Sequence, residues 1–361
     1  MLLEIARFFA SFAKYNPERD RYEIHGVVGP DEYHSGYPDS VVPGINNNAY
    51  TNLTAVWTLC RALELLQMLP TDRREQICSR IELTNDEISL WDSTSRKMFI
   101  PMREDGIIYQ FDGYEKLDDF PWKKNGALDI DRVHDLLNSQ GGHLNQYKVS
   151  KQPDVLMLYY LFSVDELAEL FKRLGYQFDA ENIAKNVEYY IKQTVSDSTL
   201  SRVATVWVLS RMDRFHAWSM LGCMCRPESC TCGRPTQETD GPDSWKIFME
   251  SLGSDLLDIQ GGTTAEGVHI GAMASTIDII QRCYTGLVTK GDVLWFNPRL
   301  PKAIIRLSFN LLYRHQVLRF EITQCTAKVI AMHSTAEAIK IGFNERVYWI
   351  EAGHSKLFDL E

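Results

Sequence analysis

Two adjacent carboxylates, Asp31 and Glu32, are the residues in this sequence whose types and spacing best suit acid catalysis. They follow a short apolar run and a Gly-Pro break, and Tyr33 and His34 come directly after them. A carboxylic acid among aromatic side chains is disfavoured in its charged form, so its pKa rises and it can hold a proton near neutral pH. Such an acid could protonate a leaving oxygen. Taken alone, an Asp-Glu pair after Gly-Pro is more typical of an ordinary surface turn.

Four motifs, taken together, resemble glycoside hydrolase family 65. GPDEYH at 29–34 is followed by NNNAYTN at 46–52, KQPDVL at 151–156 and GTTAEGVHIGAM at 262–273. The family carries these motifs in the same order, and the resemblance runs from about Ile5 to Leu360. Because the family contains inverting disaccharide phosphorylases together with some hydrolases, the resemblance implies an enzyme that acts on α-linked glucosides.

The charge balance argues against several classes of partner. The 361 residues include 38 basic and 48 acidic side chains, which gives a net charge of −10. Nucleic acid and anionic membrane surfaces are not attracted to such a protein, whereas a neutral sugar is compatible with it. The sequence has no apolar run long enough to span a bilayer, and its opening residues are too charged for a secretory signal. We therefore expect a cytoplasmic protein whose partners are small molecules.

Four of the eight cysteines are clustered: Cys223, Cys225, Cys230 and Cys232. Four thiolates could hold a structural zinc ion, but these spacings are tighter than those of common zinc knuckles. The surrounding segment, at about 220–243, is rich in Pro, Gly, Thr and Ser and is typical of a loop inserted between helices. We therefore expect no metal site.

Apolar residues at helical spacing predict a mainly helical protein up to about residue 290. In chain order the predicted helices are Leu2–Tyr15, Asn48–Met68, Thr71–Trp91, Asp131–Ser139, Pro153–Phe162, Asp165–Leu174, Ala180–Thr194, Leu200–Met212, Asp243–Leu252 and Val268–Gln281. Short loops between them, without alternating strands, favour helical hairpins.

Between Lys97 and Trp122 lies an aromatic-rich stretch without helical period. It could line a sugar site or form a packed loop over helix ends.

After Gly291, short alternating or β-branched runs predict a small antiparallel sheet domain. The predicted strands are Leu307–Leu312, Val317–Ile322, Ala327–Ala331, Ala338–Phe343 and Arg346–Glu351. The family resemblance implies that residues 1–290 form part of an (α/α)6 barrel, with the Cys-rich loop inserted in it, and that residues 291–361 form the C-terminal β domain. Family members carry a β-sandwich and further helices ahead of the acidic motif, so we expect this chain to be the C-terminal portion of such an enzyme.

The resemblance also implies roles for individual residues. Glu32 corresponds to the general acid that protonates the glycosidic oxygen, with Asp31 as a helper or a sugar-hydroxyl acceptor. Lys151 and Gln152 correspond to substrate contacts, although a Lys-Gln pair before a Pro-started helix could also be a solvated cap. Ser198 and Thr199, before the helix near Leu200, correspond to phosphate contacts. As residue types they are also common helix N-caps.

The part of the site that faces the acid should be formed by Gly261–Met273. Thr263 and Glu266 fit a capping box, and the free N–H groups of the following helix suit an anion. By resemblance, His269 occupies the position that a base holds in the family's hydrolases, and its imidazole could donate to phosphate. Glu266, a substrate contact by this alignment, could instead serve as the base of a hydrolase. An inverting hydrolase needs a second carboxylate ~6.5 to 9.5 Å from the acid, whereas a phosphorylase needs none.

Together with these residues, the family resemblance implies an inverting phosphorylase. It would convert an α-linked glucosyl disaccharide and inorganic phosphate into β-glucose 1-phosphate and a free sugar, with no cofactor other than phosphate as co-substrate. One alternative is an inverting α-glucosidase or trehalase that uses Glu266 as base. Another is a catalytically incomplete, carbohydrate-binding fragment of such an enzyme. A homodimer is possible by resemblance, and neither nucleic acid nor membrane is expected as a partner.

Overall fold

A computed structural model describes residues 1–121, 123–124, 127–128, 133, 136, 144–195, 199–221, 244–258 and 267–360. The predicted helix at 131–139 lies largely outside these residues, and the clustered cysteines lie wholly outside them. The chain divides into two compact units, Met1–Ala204 and Thr205–Glu361. Within the described ranges, no helix combines the length and the apolar character needed to cross a bilayer.

Helices dominate the first unit, as the apolar spacing predicts. They are α1 (Leu2–Phe12), α2 (Ala49–Met68), α3 (Thr71–Arg80), α4 (Asn85–Lys97), α5 (Asp154–Leu161), α6 (Val164–Leu174), α7 (Ala180–Ile191) and α8 (Thr199–Leu221), and the unit boundary falls within α8. Short 3-10 turns lie at Tyr114–Lys116 and Leu144–Gln146. Two antiparallel hairpins pair β1 (Lys14–Asn16) with β2 (Arg21–Glu23) and β3 (Lys123–Lys124) with β4 (Ala127–Leu128).

The helix pair α1 and α2 packs through small and apolar side chains. α1 buries Leu3, Ala6 and Ala10, which recur every three or four residues and so share one helix face. This face belongs to the same core cluster as Leu59 of α2 and Trp91 of α4. The predicted Leu2–Tyr15 helix ends earlier, at Phe12, because the chain turns into strand β1.

The predicted single helix at Thr71–Trp91 is wrong, because the structure has two helices there. The first ends at Arg80, and Glu82 then adopts a left-handed conformation with φ 51°. Thr84 restarts the helix through a capping box: its Oγ1 accepts from the Glu87 N–H at 3.2 Å, and the Glu87 carboxylate accepts from the Thr84 N–H at 3.0 Å. Because this box satisfies free backbone donors at a new helix start, it favours a break over one continuous helix.

The aromatic-rich stretch between Lys97 and Trp122 supports the packed-loop alternative. Ile108, Phe111 and Tyr114 are fully buried. The Phe111 and Tyr114 rings meet edge to face with centroids 5.4 Å apart, and the Tyr114 hydroxyl donates to Gln193 at 2.8 Å. These side chains therefore belong to the interior of the first unit.

The second unit combines helices with two four-stranded sheets. Its elements are α9 (Ser244–Leu252), α10 (Ile270–Asp278) with a π-helical continuation at Ile279–Cys283, β5 (Val288–Lys290), β6 (Val293–Trp295), β7 (Arg306–Tyr313), β8 (Gln316–Thr323), β9 (Thr326–Ala331), β10 (Ile339–Phe343), β11 (Arg346–Ile350) and β12 (Ser355–Asp359). One sheet has the order β11-β10-β6-β5 and the other β12-β9-β8-β7. Alternating burial along β8 places Leu318, Phe320 and Ile322 in the shared core.

The predicted purely antiparallel sheet domain needs a correction. β10 pairs in parallel with β6, with Ile341 opposite Leu294. The early strands β5 and β6, and the last strand β12, were also absent from the prediction. They are short or mostly exposed, so their sequences carry little alternation. The mainly helical part followed by sheets agrees with the predicted class, whereas closure of a six-fold barrel and the boundary at residue 290 stay predictions.

Candidate active site

The loop that carries the two motif carboxylates is fixed to the start of helix α5. Asp31 donates its backbone N–H to Oδ1 of Asp154 at 2.7 Å, and Asn48 donates its side-chain amide to Oδ2. Asn48 is also the N-cap of α2, because its Oδ1 accepts from the Thr51 N–H at 3.0 Å. Asp154 therefore connects the acidic loop to the beginnings of two helices.

Gly29 is required by this arrangement. A Cβ atom on Gly29 would lie 2.2 Å from Oδ2 of Asp154 and 2.6 Å from Nδ2 of Asn48. Atoms at those distances overlap, so any side chain would displace the loop from Asp154. The glycine of the GPDEYH motif thus permits a close approach of the backbone to a buried carboxylate.

Asp31 is a buried anchor of the loop. Its side chain is 1% exposed, and its oxygens accept from four groups of the protein. Oδ1 accepts from the N–H groups of Tyr33 at 3.3 Å and Lys151 at 3.1 Å, and Oδ2 accepts from Gln110 at 3.3 Å and faces Nδ1 of His34 at 2.7 Å. These contacts hold the loop in place, while the predicted helper role of Asp31 stays a prediction.

His34 is held between Asp31 and a backbone carbonyl. Its Nε2 lies 2.9 Å from the Tyr147 oxygen and must carry hydrogen, because a carbonyl oxygen only accepts. Burial alone lowers the pKa of His34, but the charge and hydrogen bond of Asp31 outweigh it, so the pKa is raised above its ordinary value. An imidazolium satisfies both partners, since each ring nitrogen can then donate.

Asp154 is a buried carboxyl group whose pKa is raised. It is 1% exposed, and burial, reinforced by the charge of Asp31, raises its pKa to about 7. Hydrogen bonds from the Asp31 N–H and from Asn48 oppose this shift. Gln110 joins the same network by accepting from the Asp154 N–H at 2.6 Å and donating to Ser150 at 2.8 Å.

Glu32 lies on the outer side of this network. Its side chain is 60% exposed, and its carboxylate accepts from Nζ of Lys151 at 2.8 Å and from Nε2 of Gln152 at 3.3 Å. The Lys151 hydrogen bond, which outweighs partial burial, lowers the pKa of Glu32 below its ordinary value. The expectation of a raised pKa at the motif is therefore wrong for Glu32 in the free protein, since this group is exposed and ion-paired.

Lys151 and Gln152, which the motif match predicts as substrate contacts, lie beside Glu32. Their contact with substrate stays a prediction. Gln152 is 5% exposed and donates to the Pro30 carbonyl at 2.7 Å. Its Oε1 accepts from Oγ of Ser201 at 3.3 Å. Gln152 therefore links the acidic loop to helix α8.

Of the predicted phosphate contacts Ser198 and Thr199, the structure describes only Thr199. Thr199 is 7% exposed and is the first residue of α8, so the helix begins one residue earlier than predicted. Ser198 lies outside the described residues. Ser201, two positions into the same helix, was not predicted and is the hydroxyl that contacts Gln152.

His269 lies in the second unit, immediately before helix α10. Its Nδ1 is 2.5 Å from Oδ1 of Asp255, and its backbone N–H donates to Oδ2 of Asp255 at 3.0 Å. The helix begins at Ile270, two residues after the predicted start, and Gly267 ahead of it has a φ of 127°. Thr263 and Glu266, with their predicted capping box, lie outside the described residues.

The described residues contain no group of three or more His, Cys, Asp or Glu side chains that could hold a metal ion. Sequence reasoning missed the roles of Asn48, Gln110 and Asp154, although two of these residues lie within quoted motifs. A local signal was available for Asp154, because Pro153 precedes it at a helix start, where an acidic residue interacts favourably with the helix dipole.

Comparison with known proteins points to one family over most of the chain. The glycosyl hydrolase family 65 central catalytic domain matches residues 1–226, and the family's C-terminal domain matches residues 287–348. An uncharacterized glycosyl hydrolase of Mycobacterium tuberculosis is 40% identical over 357 residues, which are 98% of this chain and 25% of that protein. Trehalose 6-phosphate phosphorylase of Lactococcus lactis is 29% identical over 363 residues, covering 100% of this chain and 42% of that enzyme.

A solved structure shares the fold. "Putative kojibiose phosphorylase from human microbiome" superposes with a TM-score of 0.71 at 20% sequence identity, covering 99% of this chain and 45% of that one. The chain therefore spans less than half the length of each of these three proteins.

Proposed function

The chain belongs to glycosyl hydrolase family 65, and from this premise we propose that it forms part of the active site of an inverting disaccharide phosphorylase. The reaction consumes an α-linked glucosyl disaccharide and inorganic phosphate. It yields β-glucose 1-phosphate and a free sugar. Because phosphate attacks the anomeric carbon directly, from the side opposite the leaving sugar, the configuration at that carbon inverts.

The observation that carries this proposal is the exposed carboxylate of Glu32 on a fixed loop. Its oxygens are held by Lys151 and Gln152, while the backbone beneath it is anchored by Asp31 and Asp154. A general acid must reach the glycosidic oxygen from a stable position. The Glu32 carboxylate is exposed to a ligand while its loop is held in place. Asp31, in contrast, is buried among protein partners.

Protonation of Glu32 requires that its ion pair with Lys151 be released. We assign this step to substrate binding, because sugar hydroxyls that engage Lys151 and Gln152 replace Glu32 as their partner. A bound sugar also excludes water from the carboxylate, and both changes raise the pKa of Glu32. The acid then gives its proton to the glycosidic oxygen as the bond to the anomeric carbon breaks.

Phosphate is assigned to the hydroxyls of Ser198 and Thr199 and to the imidazole of His269. No catalytic base is needed, since phosphate is already an anion and a nearby carboxylate would repel it. Several relatives support phosphorolysis over hydrolysis, because they are named as phosphorylases: trehalose 6-phosphate phosphorylase, 1,2-alpha-glucosylglycerol phosphorylase and kojibiose phosphorylase. The reaction as proposed uses no cofactor. Phosphate accepts the glucosyl group, and the sugar that is released is a small molecule.

A phosphate-dependence assay tests the proposal. The purified protein is incubated with α-linked glucosyl disaccharides with and without phosphate, and β-glucose 1-phosphate and glucose are measured separately. We expect β-glucose 1-phosphate only with phosphate, and a loss of at least about 1,000-fold in kcat for Glu32→Gln, because the amide cannot donate the required proton as an acid does.

Three outcomes contradict the proposal in different ways. Glucose release that is independent of phosphate favours the hydrolase alternative with Glu266 as base. Sugar binding without turnover favours a catalytically incomplete carbohydrate-binding fragment. Full activity in Glu32→Gln, with unchanged thermal unfolding, removes Glu32 as the acid.

A further inference from the structure

Asp255 holds His269 at two points. One carboxylate oxygen lies 2.5 Å from ring atom Nδ1, and the other accepts the backbone N–H of the same residue at 3.0 Å. The Asp255 side chain is 12% exposed and that of His269 is 30% exposed. The hydrogen bond from His269 lowers the pKa of Asp255, so the aspartate stays ionised at neutral pH.

This two-point contact fixes the orientation of the imidazole ring and determines which ring nitrogen carries the hydrogen. A carboxylate only accepts, so the hydrogen between the two groups belongs to Nδ1. Nε2 is then the ring nitrogen left for another partner, on the side of the ring away from Asp255. An aspartate that orients a histidine through Nδ1 is a general way of setting which nitrogen takes part in chemistry.

The position of the pair suits an anion at Nε2. His269 immediately precedes the nine-residue helix α10, whose first N–H groups carry partial positive charge. The negative charge of Asp255 lies on the opposite side of the ring, so the imidazole separates it from a ligand at Nε2.

We infer that Asp255 is a positioning residue for phosphate: it holds the Nδ1–H of His269, so that Nε2 is the ring atom that meets phosphate. In the neutral Nδ1–H form Nε2 accepts from a P–OH group, and in the imidazolium form it donates to a phosphate oxygen. This inference rests on the proposed phosphorolysis with His269 as a phosphate contact. Asp255 itself does not touch phosphate or sugar. Its contribution is to orient the ring before phosphate arrives, which avoids an ordering cost on binding.

Steady-state kinetics of Asp255→Asn separate positioning from general damage. The amide keeps the size of the side chain but removes the charge, and its NH2 group cannot accept one of the two hydrogens. We expect KM for phosphate to rise at least tenfold and KM for the disaccharide to change less than twofold. Asp278→Asn is the matched control, because Asp278 pairs with Arg282 at 3.2 Å near the other end of α10. It should leave both KM values unchanged.

Nitrogen NMR of the histidine rings supplies a readout that does not depend on turnover. In the parent protein, His269 should give the Nδ1–H pattern, assigned by its loss in His269→Gln. In Asp255→Asn the pattern should shift toward the Nε2–H form. A dominant Nε2–H form in the parent overturns the inference even if Asp255→Asn does not fold.

The outcomes distinguish the inference from the proposed function. If the parent protein shows no phosphorolysis, both fail. If the parent is phosphorolytic and His269→Gln raises KM for phosphate while Asp255→Asn leaves it unchanged, only the positioning role of Asp255 is overturned.

Discussion

The ammonium of Lys151 and the carboxylate of Glu32 are 2.8 Å apart, and this contact lowers the pKa of the proposed acid and so reinforces its ionised form in the free protein. An acid that is held ionised cannot donate, so the resting contact opposes the proposed chemistry until a ligand intervenes. The same contact also keeps Glu32 in one orientation. Lys151 therefore links sugar recognition with activation of the acid, two roles that a substitution can separate.

The substitution Lys151→Met should raise the pKa of Glu32 toward its ordinary value. The thioether keeps most of the side-chain length but cannot donate the hydrogen bond that contributes most to the lowered pKa. The carboxyl signal of Glu32, followed by carbon NMR as a function of pH and assigned with Glu32→Gln, measures this directly. Lys148→Met is the control, because Lys148 pairs at 3.6 Å with Asp119 instead. An unchanged Glu32 titration in Lys151→Met would show that the ion pair does not form in solution.

At the scale of elements, the acidic loop is positioned by contacts that are far apart in sequence. Asp31 and Asp154 are 123 residues apart, and Gln110 joins both from a third segment. Residue types can suggest that such polar groups are functional, but spacing along the chain does not reveal which of them meet. This is why the motifs predicted Lys151 and Gln152 as substrate contacts, yet the central place of Asp154 was missed.

Elements that depend on local sequence patterns are predicted more successfully than contacts between distant segments. The helix predicted from Asn48 and the strand predicted from the alternation at Val317–Ile322 each depend on a pattern within one continuous segment, and both elements are present in the structure. The break before Thr84 was missed although Thr84 and Glu87 form a recognisable capping box, because the apolar period continues across it. The parallel pairing of β6 with β10 joins residues 47 positions apart, such as Val293 and Lys340, a relation that alternation does not encode.

A substitution at Gly29 tests how closely the acidic loop packs against the start of α5. Gly29→Ala places a methyl group 2.2 Å from Oδ2 of Asp154, so the loop must move or the carboxylate must turn away. We expect a loss of ~1–3 kcal/mol in the free energy of unfolding, typical of overpacking, measured by urea denaturation. Phosphorolytic kcat should fall as well, because Glu32 moves with the loop.

Gly271→Ala is a matched control for this substitution. A Cβ atom at Gly271 meets nothing within 4 Å, and the residue lies inside helix α10, where alanine is preferred over glycine. The free energy of unfolding should stay equal or rise slightly. Equal stability of Gly29→Ala and the parent protein would mean that the close approach to Asp154 is not maintained in solution.

At the scale of the whole molecule, the buried network makes stability depend on pH in an unusual direction. Most shifted carboxylates here, such as Glu32, Glu87 and Asp92, have lowered pKa values. They stabilise the fold above their unfolded pKa, and that contribution is lost as pH falls through the folded value. Asp154 has the opposite sign, because its folded pKa of about 7 lies above its ordinary value of 3.8.

The contribution of Asp154 is therefore fully present below about pH 4 and is lost as pH rises through about 7. Asp154→Asn removes this titration. It also costs stability at every pH, because the new NH2 group faces the Asn48 amide. The pH-dependent part is isolated by subtracting the unfolding free energy of the variant from that of the parent at each pH. This difference should be larger at pH 5 than at pH 8 by at least ~1 kcal/mol.

Asp119→Asn removes an exposed carboxylate and supplies the baseline for the same subtraction. A difference for Asp154→Asn that is constant from pH 5 to pH 8 would mean that Asp154 is ionised throughout, held by the Asp31 N–H and Asn48 alone. A difference that falls with pH would mean that the folded state, including the loop beneath Glu32, loses stability as Asp154 ionises. In that case the phosphorolytic activity of the parent protein should fall as pH rises through about 7. Asp154→Asn should be less active than the parent at every pH, but its activity should not show this fall.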